Sequence, residues 1–128
     1  DKYKSGTRSM GVVINTDVSS GSGIHWFCLY CDMRNETITM EYFNSSGEPP
    51  MYSVRKYMND FKNTFESKMD KNVKLIYHNK VHQRDSHSCG PYALYYILSR
   101  ESGIPPDIFS NQTIPDSDMV IFRSKIFR

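Results

Sequence analysis

The apolar positions of this chain change their spacing several times, and each change predicts an element. Met10 to Thr16 is a short apolar, β-branched run and reads as a strand. Asp17 to Gly23 is a Gly/Ser turn, and His25 to Cys31 is aromatic and apolar throughout, as in a strand buried on both faces. Asp32 to Asn35 turns the chain, and Glu36 to Phe43 alternates polar with apolar. So short a turn predicts antiparallel pairing. Asn44 to Pro50 is a loop by composition. Met51 to Met69 then sets Val54, Met58, Phe61 and Phe65 on one face of an amphipathic helix. Lys74 to Tyr77 is a further short strand, and a long polar loop follows, Asn79 to Ser88. An apolar helix opens at Cys89 and ends near Ser102, before Gly103 and Pro105-Pro106. Ile108-Phe109 and Asp116 to Phe127 predict a short last helix, with Met119, Phe122 and Ile126 on one face. Residues 1–9 are polar and read as frayed or truncated.

This order predicts an α+β fold, a small mixed β-sheet flanked by helices. In an antiparallel hairpin the start of His25–Cys31 lies beside the end of Glu36–Phe43, so His25 and Asn44 share one edge of the sheet. A right-handed strand–helix–strand crossover makes Leu75–Tyr77 parallel to Glu36–Phe43. Its C-terminal end then delivers the Gln83–Cys89 loop to the same edge, where open sheets bind ligands.

Composition narrows the classes. The chain has 128 residues, enough for one domain with one core, with seven Phe, nine Tyr and seven Met to fill it. We therefore read residues 1–128 as a single domain, and, since the chain opens on Asp1 rather than Met, as an excised domain or a processed product. Sixteen basic and 14 acidic residues give a formal charge of +2, with no long run of either sign. That leaves no footprint for nucleic acid and no basic amphipathic helix for membranes. No apolar stretch approaches the ~20 residues of a membrane span. Three cysteines, Cys28, Cys31 and Cys89, without a signal-peptide pattern argue for free thiols in a reducing compartment.

The chemistry gathers at Cys89, between a polar loop and a buried helix. Unpaired backbone N–H groups and the dipole at a helix start favour a thiolate, the nucleophilic form. The plain alternative is a small residue filling a helix start. A cysteine nucleophile needs a general base and a third group that holds the base in the right tautomer. His25 suits the base and Asn44 the orienter; alternatively His25 caps a strand and Asn44 makes the turn with Ser45-Ser46-Gly47. Thioester chemistry also needs donors aimed at the oxyanion. The Cys89 N–H is one candidate and the Gln83 amide another, unless Gln83 is loop solvation. Singly each plain reading is the stronger; together at one edge they are the weaker.

Gly23-x-His25-Trp26, then Glu41-Tyr42-Phe43-Asn44-Ser45-Ser46-Gly47, then His82-Gln83 and, after five residues, Cys89-Gly90-Pro91-Tyr92 resemble the adenain/SUMO-protease clan of cysteine proteases. Within it the likeness is to the polyprotein-processing proteases of African swine fever virus and related large DNA viruses. It runs from Val12–Asp17 to Asp118-Met119, Phe122-Arg123 and Phe127-Arg128. The resemblance implies a papain-like mechanism, with His25, Asn44 and Cys89 as the triad and Gln83 in the oxyanion hole. It also implies cleavage after Gly-Gly in viral capsid precursors during virion maturation, and location in the host cytoplasm's virus factory and in the virion. Trp26 would roof a narrow substrate cleft, core packing being its other role. The chain departs from many clan members in carrying Asn44 where they have Asp, and in having few residues before His25, so the resemblance implies that 1–128 is a single catalytic domain, the C-terminal catalytic part of a longer protein.

Three rivals complete the reading. His25, Cys28 and Cys31, or His78, His82, His87 and Cys89, offer soft metal ligands. Cys28 and Cys31 would face opposite sides of a strand, however, and the histidine spacing is looser than that of structural zinc. No metal or other cofactor is expected. A SUMO or ubiquitin isopeptidase shares the chemistry and the Gly-Gly substrate end. A non-catalytic binding module has no need of all four polar residues.

Overall fold

The computed structural model describes residues 6–18, 23–85 and 88–126. Four strands, β1 (Ser9–Val18), β2 (Gly23–Asp32), β3 (Ile38–Phe43) and β4 (Val73–Tyr77), form one sheet in that order. β1–β2 and β2–β3 are antiparallel and β3–β4 parallel. The helices are α1 (Tyr52–Met69), α2 (Cys89–Glu101), α3 (Asp107–Asn111) and α4 (Asp116–Ile126). The final segment is thus two helices. Pro115 accounts for the break: it supplies no N–H and biases the residue before it away from helix. None of the helices is long and apolar enough to cross a membrane, among the described residues.

The sheet has a core on each face. On one side Val54, Met58 and Phe65 of α1 pack on Phe27, Leu29, Cys31, Ile38, Met40 and Tyr42, with Phe61 partly buried beside them. On the other, Tyr92, Ala93 and Tyr96 of α2 pack on Cys28, Tyr30 and Phe43, with Phe109 and Met119 closing the layer. Cys28 and Cys31 do lie on opposite faces. α2 comes so close to β1 that a Cβ on Gly11 would lie 2.8 Å from Ile97 Cγ2.

Double coverage changes the meaning of the alternation in β3. Its polar member Glu41 is buried, not solvated. It takes Arg100 Nε and Nη2 at 2.8 Å each, the Thr39 hydroxyl at 2.6 Å and the Tyr96 hydroxyl at 2.5 Å. Arg100 also donates to Asp32 Oδ2 at 3.1 Å and the Ile104 carbonyl at 3.0 Å. A buried charge is tolerable only when so fully paired. β2 is covered on both faces from Phe27 onward, whereas Trp26 at its rim is 37% exposed.

Candidate active site

The register carries the separate segments to one edge. β2 and β3 pair from Cys28–Phe43 to Asp32–Thr39, so His25 projects past the ladder on the side where Asn44 leaves β3. β4 runs out beside Tyr42, with the His78 N–H on the Tyr42 carbonyl at 3.0 Å. The following loop doubles back: the N–H groups of His82 and Gln83 both donate to the Ser45 carbonyl, at 2.8 and 2.9 Å. The turn after β3 is tight because Gly47 takes φ +78°, returning its N–H to the Asn44 carbonyl at 2.9 Å.

Cys89 is the first residue of α2 and is 6% exposed. Its sulfur accepts the backbone N–H of Trp26 at 3.4 Å, which places the thiol beside the residue that follows His25. The indole lies along the same rim, where a Cβ on Gly90 would be 3.8 Å from its Cδ1. The His25 ring meets Asn44 through Nε2 and Oδ1 at 2.8 Å. Asn44 is buried, and its Oδ1 also accepts the Ser46 N–H at 3.0 Å and hydroxyl at 2.7 Å. His25 and Asn44, and Trp26 and Cys89, are therefore brought together at this edge.

Gln83 reaches the same edge in a particular state. Its Oε1 accepts the Ser45 hydroxyl at 2.6 Å, and its Nε2 donates to the carbonyl of Asp85 at 2.9 Å and to its Oδ1 at 3.2 Å. The Asp85 carboxylate also accepts the Ser88 N–H at 2.8 Å and hydroxyl at 2.5 Å, immediately before Cys89. Asp116, at the start of α4, takes the N–H groups of Arg84 and Asp85 at 3.0 and 2.9 Å and the Tyr92 hydroxyl at 2.9 Å. Asp85 and Asp116 brace the loop that presents Cys89. Sequence reading missed both, because Asp85 lies in an aperiodic loop and Asp116 is a polar residue at the start of a helix known only by its apolar face. It also missed Tyr42, although residues two apart in a strand share a face and Tyr42 is two before Asn44.

Cys28, Cys31, His78 and His82 are structural, and His87 lies outside the described residues. Burial pushes the Cys31 thiol up to about 12, helped by Glu41, and raises Cys28 well above its ordinary value. His82 is buried, not part of a solvated loop: one ring nitrogen faces the Phe109 carbonyl at 2.9 Å and the other the Ile114 N–H at 2.9 Å. His78 sits between the Tyr96 hydroxyl at 2.8 Å and the Ser110 hydroxyl at 3.3 Å. Burial lowers both imidazoles, His78 to about 4 despite the opposing pull of Glu41. Among the described residues no group of three or more His, Cys, Asp or Glu side chains is placed to hold a metal ion.

Comparison with known proteins matches residues 12–128 to the C-terminal catalytic domain of the Ulp1 protease family. A protein of African swine fever virus named as a SUMO-1 cysteine protease is 40% identical over 121 residues, covering 94% of this chain and 44% of the viral protein. A crystal structure of the African swine fever virus protease, in selenomethionine form, superposes with a TM-score of 0.88 at 38% identity, covering 94% of this chain and 44% of that one. The yeast Ulp1 protease domain, solved in complex with the SUMO orthologue Smt3, shares the fold with a TM-score of 0.55 at 17% identity, covering 88% of this chain and 48% of that one. The chain spans less than half the length of the viral relatives it matches.

Proposed function

The chain belongs to the Ulp1 protease family, and from that premise we propose that it is a cysteine endopeptidase that cleaves after Gly-Gly in viral structural precursors. The observation that carries this reading is the convergence at Cys89: its sulfur on the Trp26 N–H, one residue from an imidazole held by Asn44. In the proposed reaction Cys89 Sγ attacks the carbonyl carbon of the glycine before the scissile bond, and His25 takes the thiol proton. The Cys89 N–H and the Gln83 amide hold the oxyanion, the latter by turning one N–H away from Asp85. His25 then hands its proton to the leaving amine as the C–N bond breaks. Water, deprotonated by the same imidazole, hydrolyses the thioester and restores the thiol. Trp26 roofs the cleft against Gly90 and favours residues without side chains at the scissile bond. The host cytoplasm and the virion are where such precursors would be met.

The names of two of the proteins compared, a SUMO-1 cysteine protease and a SUMO-bound Ulp1 domain, support a second reading: an isopeptidase for a ubiquitin-like protein. Its substrate also ends in Gly-Gly, so the two share their chemistry and differ in the docking face required. Incubation with Gly-Gly precursor peptides and with SUMO and ubiquitin fusions tests both, Cys89→Ser serving as control. Peptide cleavage lost in Cys89→Ser supports the endopeptidase; turnover of fusions alone transfers the assignment to the isopeptidase. Cleavage that persists in Cys89→Ser ends the nucleophile assignment.

A further inference from the structure

Asn44 is not held by the turn alone. Its Nδ2 donates to the Tyr42 hydroxyl oxygen at 3.1 Å, and that hydroxyl donates onward to the carbonyl of Glu48 at 3.0 Å. Tyr42 and Asn44 are both buried, so water cannot readily replace either bond. The direction of the chain is forced at its far end. A backbone carbonyl only accepts, so the Tyr42 proton is committed to Glu48 and the Tyr42 oxygen must accept from Asn44. The amide of Asn44 is then fixed with Nδ2 toward Tyr42 and Oδ1 toward His25. The near end agrees independently, because the Ser46 N–H can only donate, and it donates to Oδ1.

An Oδ1 acceptor makes His25 Nε2 the protonated nitrogen and leaves the lone pair on Nδ1. Accordingly, we propose that Tyr42 is a positioning residue for the reaction, transmitting the polarity of the Glu48 carbonyl through Asn44 to select the basic nitrogen of His25. This rests on the catalytic reading of His25, Asn44 and Cys89 given above. Tyr42 acts on the proposed base through Asn44. Burial raises the Tyr42 hydroxyl above its ordinary range, the Asn44 bond opposing, so it keeps its proton across the working pH.

A double-mutant cycle tests the proposal, using steady-state kinetics on a Gly-Gly peptide with Tyr42→Phe, Asn44→Ala and the pair. Tyr42→Phe is expected to lower kcat about 3- to 10-fold, the worth of one hydrogen bond, with KM unchanged. In the Asn44→Ala background it is expected to do nothing further, because its route to His25 is gone. Equal losses in both backgrounds, or no loss in the first, overturn the proposal. A second measurement needs neither turnover nor a folded Tyr42 variant. Long-range proton–nitrogen NMR on the Cys89→Ser protein should show His25 protonated at Nε2, and protonation at Nδ1 overturns it. A wild-type protein inactive on every Gly-Gly substrate, yet with the Nε2 tautomer, sinks the protease reading and leaves the hydrogen-bond relay intact.

Discussion

Arg100 and Glu41 meet through two bonds of 2.8 Å in the interior, joining α2 to β3 fifty-nine residues apart. Removing one member strands the other in an apolar layer. Arg100→Met or Glu41→Gln is expected to cost about 3–5 kcal/mol in urea unfolding. The exposed Lys56–Asp60 pair on α1 is the contrast, at 2.7 Å and more than half exposed on both sides. Lys56→Ala should change stability by at most about 0.5 kcal/mol.

Stability should fall with acid before the carboxylates are exhausted. His78 takes a proton near 6.5 in the unfolded chain but only near 4 when folded. Above pH 6.5 the two states bind equally and nothing changes; between 6.5 and 4 the unfolded state gains protons and is favoured. The loss from this one group approaches about 3 kcal/mol at the low end. Urea midpoints measured across that window should show the slope, and His78→Gln should flatten it.

The thiols should respond unequally to alkylation. Cys28 and Cys31 face the two cores with their thiols raised by burial, while Cys89 sits at the rim against Trp26. Brief iodoacetamide treatment of the native protein at pH 7.5, read by mass spectrometry, should modify Cys89 alone; all three should react in urea. Native labelling at Cys31 would contradict the assignment.

Gln83→Ala should lower kcat on the order of 100-fold while leaving alkylation of Cys89 unchanged, since alkylation forms no oxyanion. Asp85→Ala frees Ser88 and removes one of the two bonds on the Gln83 amide, that to the backbone carbonyl remaining, and should lower kcat less than Gln83→Ala does. A larger loss from Asp85→Ala would mean that the brace matters more than the donor.

Asn44→Ala should leave measurable hydrolysis where Cys89→Ala leaves none. A neutral amide orients His25 but carries no charge to stabilise the imidazolium. Equal losses in burst and steady-state assays would rule out a purely orienting role.

The edge where these residues meet was legible because topology follows from element order. A hairpin and one crossover suffice to put His25, Asn44 and the Cys89 loop together, without any side-chain detail. The two-residue offset of Tyr42 from Asn44 was equally visible but ambiguous, since a strand tyrosine usually only packs. Glu41 misled for a physical reason: alternation marks a polar face only when one side of a sheet stays wet, and here helices cover both. His82 was hidden by composition, for its neighbours are polar although its ring is buried among Phe43, Tyr92 and Phe109.

The bond from the Trp26 amide to the Cys89 sulfur spans sixty-three residues of chain. A ribosome must therefore release almost the entire domain, and α2 must dock, before the thiol acquires its neighbours. A partly made or partly melted chain carries a cysteine, a histidine and an asparagine, but not the edge that brings them together.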